Sequence, residues 1–90
     1  MELEHLRQQI DQIDDDLVAL FVRRMEIAAQ IADYKKQNEL PIFVPVREQK
    51  KLEDVAAKAG PEMAEYTRRL YSTLFELSRD YQNKHNGERL

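Results

Sequence analysis

The sequence has no cysteine, two glycines and three prolines in 90 residues. Without cysteine, neither a disulfide framework nor a thiolate metal site can hold a small fold together. So little glycine and proline leaves few places to turn, and with 34% charged residues the composition is that of an all-α protein. The opening stretch "MELEHLRQQIDQIDDD" has no basic leader and no continuous apolar run. No signal peptide or membrane anchor is expected there, and the expectation is a cytoplasmic protein. Lys and Arg total 14 against 17 Asp and Glu, a net charge of −3, which excludes a general polyanion surface and with it nucleic acid as a partner. Also missing are a nucleophilic triad, a metal-ligand cluster, a glycine-rich phosphate loop and a carboxylate pair set for glycoside chemistry. His5 and His85 lie near opposite ends and are expected at the surface. No cofactor or metal is expected, so any catalysis would rest on charge and hydrogen bonding alone.

What is present is a long stripe. Leu3, Leu6, Ile10, Ile13, Leu17, Leu20, Arg24, Ile27, Ile31 and Tyr34 are separated alternately by three and four residues, which is a heptad seam. The spacing predicts one helix from about residue 3 to 37, about 50 Å long at 1.5 Å per residue. A chain of this length buries only about 60 to 65% of the surface it exposes unfolded. A helix longer than the domain is wide cannot cover its seam with its own remaining residues, so an intertwined helical homodimer through helix 1 is expected. "QNELPIF" (37 to 43) reads as a proline-broken loop, and Pro45 suits a first helical position. Helix 2 is expected at about 45–59, stopped by Gly60-Pro61, and helix 3 at about 62–84 with Met63, Tyr66, Leu70, Leu74, Leu77 and Tyr81 on one face. Residues 1–84 form the domain and 85–90 a flexible tail.

Arg24 occupies a seam position, and a desolvated guanidinium needs an anion. Two answers stand open: an ion pair with Asp14 or Glu48, or an anionic ligand inside the bundle. Lys35 lies eleven residues on, close to three turns, so the two cations share a face with backbones about 16 Å apart. Inward-reaching side chains from both span a small dicarboxylate. Arg7 is roughly 25 Å from Arg24 along the same helix and joins it only if a partner subunit delivers it. Arg7 alone reads as a solvated charge, Arg47 and Glu48 as the first turn of helix 2, and Ser78 and Gln82 as polar neighbours one turn apart beside an apolar face.

These residues together resemble the all-helical (AroQ-class) chorismate mutases over nearly the whole chain. The motifs are "LRQQIDQIDDDLVAL", "RRMEIAAQIADYKK" with its Arg-(ten residues)-Lys spacing, "LPIFVPVRE" and "LFELSRDYQ". The resemblance implies rearrangement of chorismate to prephenate in aromatic amino acid biosynthesis. It implies that Arg7 crosses the dimer to a substrate carboxylate, that Arg24 binds a carboxylate within its own subunit, and that Lys35 donates to the ether oxygen and a carboxylate. It further implies that Arg47 holds a carboxylate or orders the site, that Glu48 accepts from the substrate hydroxyl, that Ser78 lines the carboxylate region, and that Gln82 is the second donor to the ether oxygen. Lys35, Gln82 and Arg24 would then be the catalytic set. One position departs from the family's pattern: Val44 stands where many members have Asp three residues before the Arg-Glu pair. A side-chain contact to the hydroxyl is lost there, though a backbone carbonyl can serve.

Within these 90 residues the likeness is to a mutase domain alone, which leaves room for a fused or separate shikimate-pathway enzyme as partner. The rival readings are an isochorismate pyruvate lyase on the same fold, and a non-catalytic helical domain that senses chorismate or prephenate.

Overall fold

The structure, a computed structural model that describes residues 1–87, consists of three helices: α1 (Glu2–Gln37), α2 (Pro45–Ala59) and α3 (Ala64–His85). In α1, 36 residues run without glycine or proline, with Glu2 and Glu4 in the first turn and Lys35 and Lys36 in the last, each sign matched to its end of the helix dipole. The helix stops in a Schellman turn. Leu40 N–H donates to the Lys35 carbonyl at 2.8 Å and Glu39 N–H to the Lys36 carbonyl at 3.4 Å, which forces Glu39 to a left-handed φ of 54°. A side chain with a Cβ is strained there, so Glu39→Gly should stabilise the fold by roughly 1 kcal/mol in urea unfolding at fixed protein concentration.

Proline 45 sets the start of α2. It occupies the first turn, and it pushes the residue before it, Val44, into extended backbone (φ −126°, ψ 90°). Gly60, at φ 88°, ends α2. The third helix starts two residues later than its sequence suggests. Pro61, Glu62 and Met63 are spent on the reversal, in which Met63 N–H donates to the Gly60 carbonyl at 3.2 Å, so α3 begins at Ala64. At its far end His85 and Asn86, expected in a loose tail, are tied to α1. His85 Nε2 lies 2.9 Å from Asp33 Oδ1, Asn86 Nδ2 donates to the Ala32 carbonyl at 2.9 Å, and Lys36 Nζ donates to the Asn86 carbonyl at 3.1 Å. Residues 88–90 of that expected tail lie outside the described residues.

Helix α3 packs against both α2 and the second half of α1, whereas α1 and α2 make no close backbone approach to each other. The closest packing uses small residues: Ala28, Ala32 and Ala56 are buried, with Phe75 between them as the large core side chain. The stripe of α1 that meets α3 is therefore not the heptad seam but the one beside it. Every apolar member of the seam stays at least 43% exposed. The apolar face expected on α3 is likewise mostly open: Met63, Tyr66, Leu70, Leu77 and Tyr81 are exposed, and the buried stripe is Phe75, Ser78 and Gln82. The face of α3 that the single chain covers is partly polar because it lines a cleft.

The result is elongated, 55 × 26 × 21 Å, with a radius of gyration of 16.2 Å. A compact domain of this length has about 12 Å.

Candidate active site

Because α1 and α2 both rest on α3 without touching, a cleft of about 670 Å³ opens between them. One face of α1 supplies Arg24, Ala28, Ile31 and Lys35 at intervals of three to four residues, and α2 supplies Arg47, Glu48 and Lys51 from one side of its first two turns. The floor is Phe75, Ser78, Arg79 and Gln82 of α3, and the loop before α2 adds Ile42 and Val44. Of the residues singled out in the sequence, Arg24, Lys35, Val44, Arg47, Glu48, Ser78 and Gln82 meet here. Arg7 does not. It is exposed on the unsupported half of α1, about 25 Å from Arg24 by helical rise.

The ion pair from Arg24 to Asp14 or Glu48 is not formed. Arg24 is half-buried with its guanidinium 5.8 Å from the Phe75 ring centre and 6.0 Å from that of Tyr71, and it meets no carboxylate among the described residues. Contacts at the outer limit of cation–π range offset little of the desolvation, and they leave the N–H donors unused. Lys35 Nζ donates to the Ile42 carbonyl at 3.0 Å, which anchors the loop and fixes the ammonium while two of its three donors remain available.

Ser78 and Gln82 are the buried polar side chains among the described residues, each 8% exposed, and so are not the edge residues their spacing first suggests. Gln82 Nε2 donates to Ser78 Oγ at 2.9 Å, and Gln82 Oε1 is buried with no partner. An orphaned buried oxygen is costly. A half-turn of the amide lets the Ser78 hydroxyl donate to Oε1 and turns Nε2 toward the cleft, so the site holds an amide donor that a ligand acceptor would complete.

Two charged lining residues are additions to the set the sequence singles out. Lys51 lies one turn beyond Arg47, and Arg79 directly follows Ser78; helical spacing from either neighbour would have found them. Glu48 pairs with Arg79, whose Nη1 reaches both carboxylate oxygens, 2.6 Å from Oε2. The carbonyl of Val44 accepts the Glu48 N–H at 3.2 Å and keeps one lone pair free. On α2, Lys58, with Lys51 adding less, holds the Asp54 carboxyl below its ordinary value. Five cationic side chains thus line the cleft against the single carboxylate of Glu48, in a chain of net charge −3. Cations gathered in a low-dielectric hollow attract a small polyanion.

Known proteins share part of this sequence. The chain is 44% identical over 46 residues to the T-protein of Haemophilus influenzae, covering 51% of this chain and 12% of that protein. It is 45% identical over 47 residues to the T-protein of Enterobacter agglomerans, 52% of this chain and 13% of the relative. It is 39% identical over 54 residues to the bifunctional chorismate mutase/prephenate dehydratase of Aquifex aeolicus, 60% of this chain and 15% of the relative. The aligned stretches therefore span less than a sixth of each relative's length. No solved structure matches the chain significantly. The chorismate mutase type II family matches residues 6–83, which reaches into all three helices and takes in every residue of the cleft, and the chain belongs to that family.

Proposed function

We propose that the cleft binds chorismate and catalyses its rearrangement to prephenate. The observation that carries this reading is the set of cations, Arg24, Lys35 and Arg47, that line the cleft with no carboxylate partner among the described residues, beside the buried amide of Gln82. Chorismate has two carboxylates, an ether oxygen and a ring hydroxyl. Its rearrangement is a concerted [3,3] shift in which the enolpyruvyl arm folds over the ring and negative charge builds on the ether oxygen as the C–O bond breaks. No proton has to be removed and no covalent intermediate forms. The protein's task is to hold the folded geometry and to aim donors at one oxygen.

In this reading Arg24, with Arg7 of the partner subunit, holds the carboxylates, Arg47 holds one of them or orders the site, and Ser78 lines that region. Lys35 and Gln82 donate to the ether oxygen, and Glu48 accepts from the ring hydroxyl with the free lone pair of the Val44 carbonyl beside it. Beyond Arg24 the cleft has no wall from its own chain, since residues 1–20 are all exposed. A homodimer supplies that wall and with it Arg7 of the partner subunit. Supporting the dimer are the uncovered seam and an accessible surface of 7484 Å², where a compact chain of this mass has about 5,500 Å². We further infer that the protein works in the cytoplasm and that a second activity, fused or separate, takes its product, as the name of the Aquifex aeolicus relative describes for that protein.

The test is to add the purified chain to chorismate and, separately, to isochorismate and identify the product. Prephenate supports the reading; released pyruvate from isochorismate alone would favour a lyase, and no turnover of either a sensing domain. Because the amide of Gln82 donates at every pH, the rate should not need acid. Gln82→Glu should instead lose activity as pH rises through the carboxyl's titration, about pH 4.3 in a free side chain, since only the protonated form donates. A rate–pH profile of both proteins checks this.

A further inference from the structure

We propose that Arg79 is a positioning residue that presents the Glu48 carboxylate to the substrate's ring hydroxyl; this rests on the mutase reading above. Glu48 begins with several possible partners. Arg47 is its neighbour in sequence, Lys51 is one turn along the same helix, and Arg24 lines the same cleft. A carboxylate on a flexible side chain among so many cations has no single orientation unless one of them captures it.

Arg79 does so from the opposite helix. Its Nη1 donates to both Glu48 oxygens, while Lys51 is drawn instead toward Asp54 at 3.6 Å. The guanidinium is held in turn by the Phe43 ring, whose centre is 4.7 Å from Arg79 Cζ, so loop, α2 and α3 converge on one rigid contact. The two side chains are 30% and 22% exposed, dry enough for a charge-assisted bond to hold its geometry. With one lone pair of each carboxylate oxygen spent on Arg79, the others remain to accept a hydroxyl. Arg79 itself lies over the Phe43 ring and spends Nη1 on both Glu48 oxygens.

A clasp that merely joined α2 to α3 would affect all substrates alike, whereas a residue acting through Glu48 affects only those with a hydroxyl for it to meet. The experiment compares chorismate with the analogue that lacks the ring hydroxyl, in the full chain and in Arg79→Gln. For chorismate, kcat/KM should fall about tenfold, and for the analogue by less than about twofold. In a Glu48→Gln background, Arg79→Gln should then cost nothing more, and Arg79→Lys should recover part of the loss. Equal losses on both substrates would overturn the proposal, whether they came from a damaged fold or from direct contact of Arg79 with substrate. Failure of the unsubstituted chain to convert chorismate would instead sink the mutase reading itself, so the two failures are distinct.

Discussion

Replacing Lys35 by Ala should lower kcat by a factor on the order of 10³, the scale at which a donor aimed at a developing oxyanion contributes. The loss should fall on kcat more than on KM. The ether oxygen of bound chorismate carries little charge, so the ammonium interacts with it far more strongly in the transition state than in the ground state. The bond from Nζ to the Ile42 carbonyl fixes the Lys35 ammonium in the cleft. The same bond complicates the experiment, because its loss also loosens the loop before α2 by about 1 kcal/mol. Lys35→Arg separates the two effects, since it keeps a donor for Ile42 and a positive charge but moves the donors off the ether oxygen. A kcat within about threefold of the unsubstituted chain in Lys35→Ala, with the fold intact by circular dichroism, would remove Lys35 from the catalytic set.

Mixing two inactive variants should restore activity. Arg7→Ala and Arg24→Ala should each lose at least about a hundredfold, because each leaves one end of the dianion without its guanidinium. If Arg7 serves the cleft of the partner subunit, a mixed dimer has one site with both arginines intact and one with neither. Random exchange makes half the dimers mixed, so about a quarter of the normal sites return. The measurement is kcat/KM after unfolding and refolding the variants together, with mixing confirmed by a tagged copy. Confirmed mixing without recovery would leave Arg7 as the surface charge its exposure in a single chain suggests.

How much of this was legible in the sequence differs from element to element. The breaks between helices are local events. Pro45 and Gly60 act through their own backbone restrictions, so their positions can be read without any knowledge of packing. The start of α3 could not be read as closely, because the chain uses Pro61 to Met63 to reverse direction, and how many residues a reversal takes depends on where the next helix must sit. The shared face of Arg24 and Lys35 follows from helical rise and pitch alone, and so does the distance that separates Arg7 from both.

Hydrophobicity alone does not identify the face of α3 that the single chain covers. The stripe rich in Leu and Tyr is exposed in the single chain, while Ser78 and Gln82, which look like surface residues, are buried. The two bury against each other, with Gln82 Nε2 on Ser78 Oγ, so their polarity gives no sign of exposure. Arg79 and Lys51 do not stand out in the sequence, because an arginine or lysine on a helix is ordinarily solvated and only a neighbouring helix at the right height gives it another role.

The sequence by itself thus determined the helical segments, their breaks, and which charges ride on one face of α1, because these depend on periodicity and on backbone chemistry within a few residues. The tertiary structure alone decided that Glu48 pairs with Arg79 rather than with Arg24, and that five cations and one buried amide surround a single hollow. Those outcomes depend on the rotation and height at which α2 and α3 dock, and side chains 31 residues apart carry no local signal of that register.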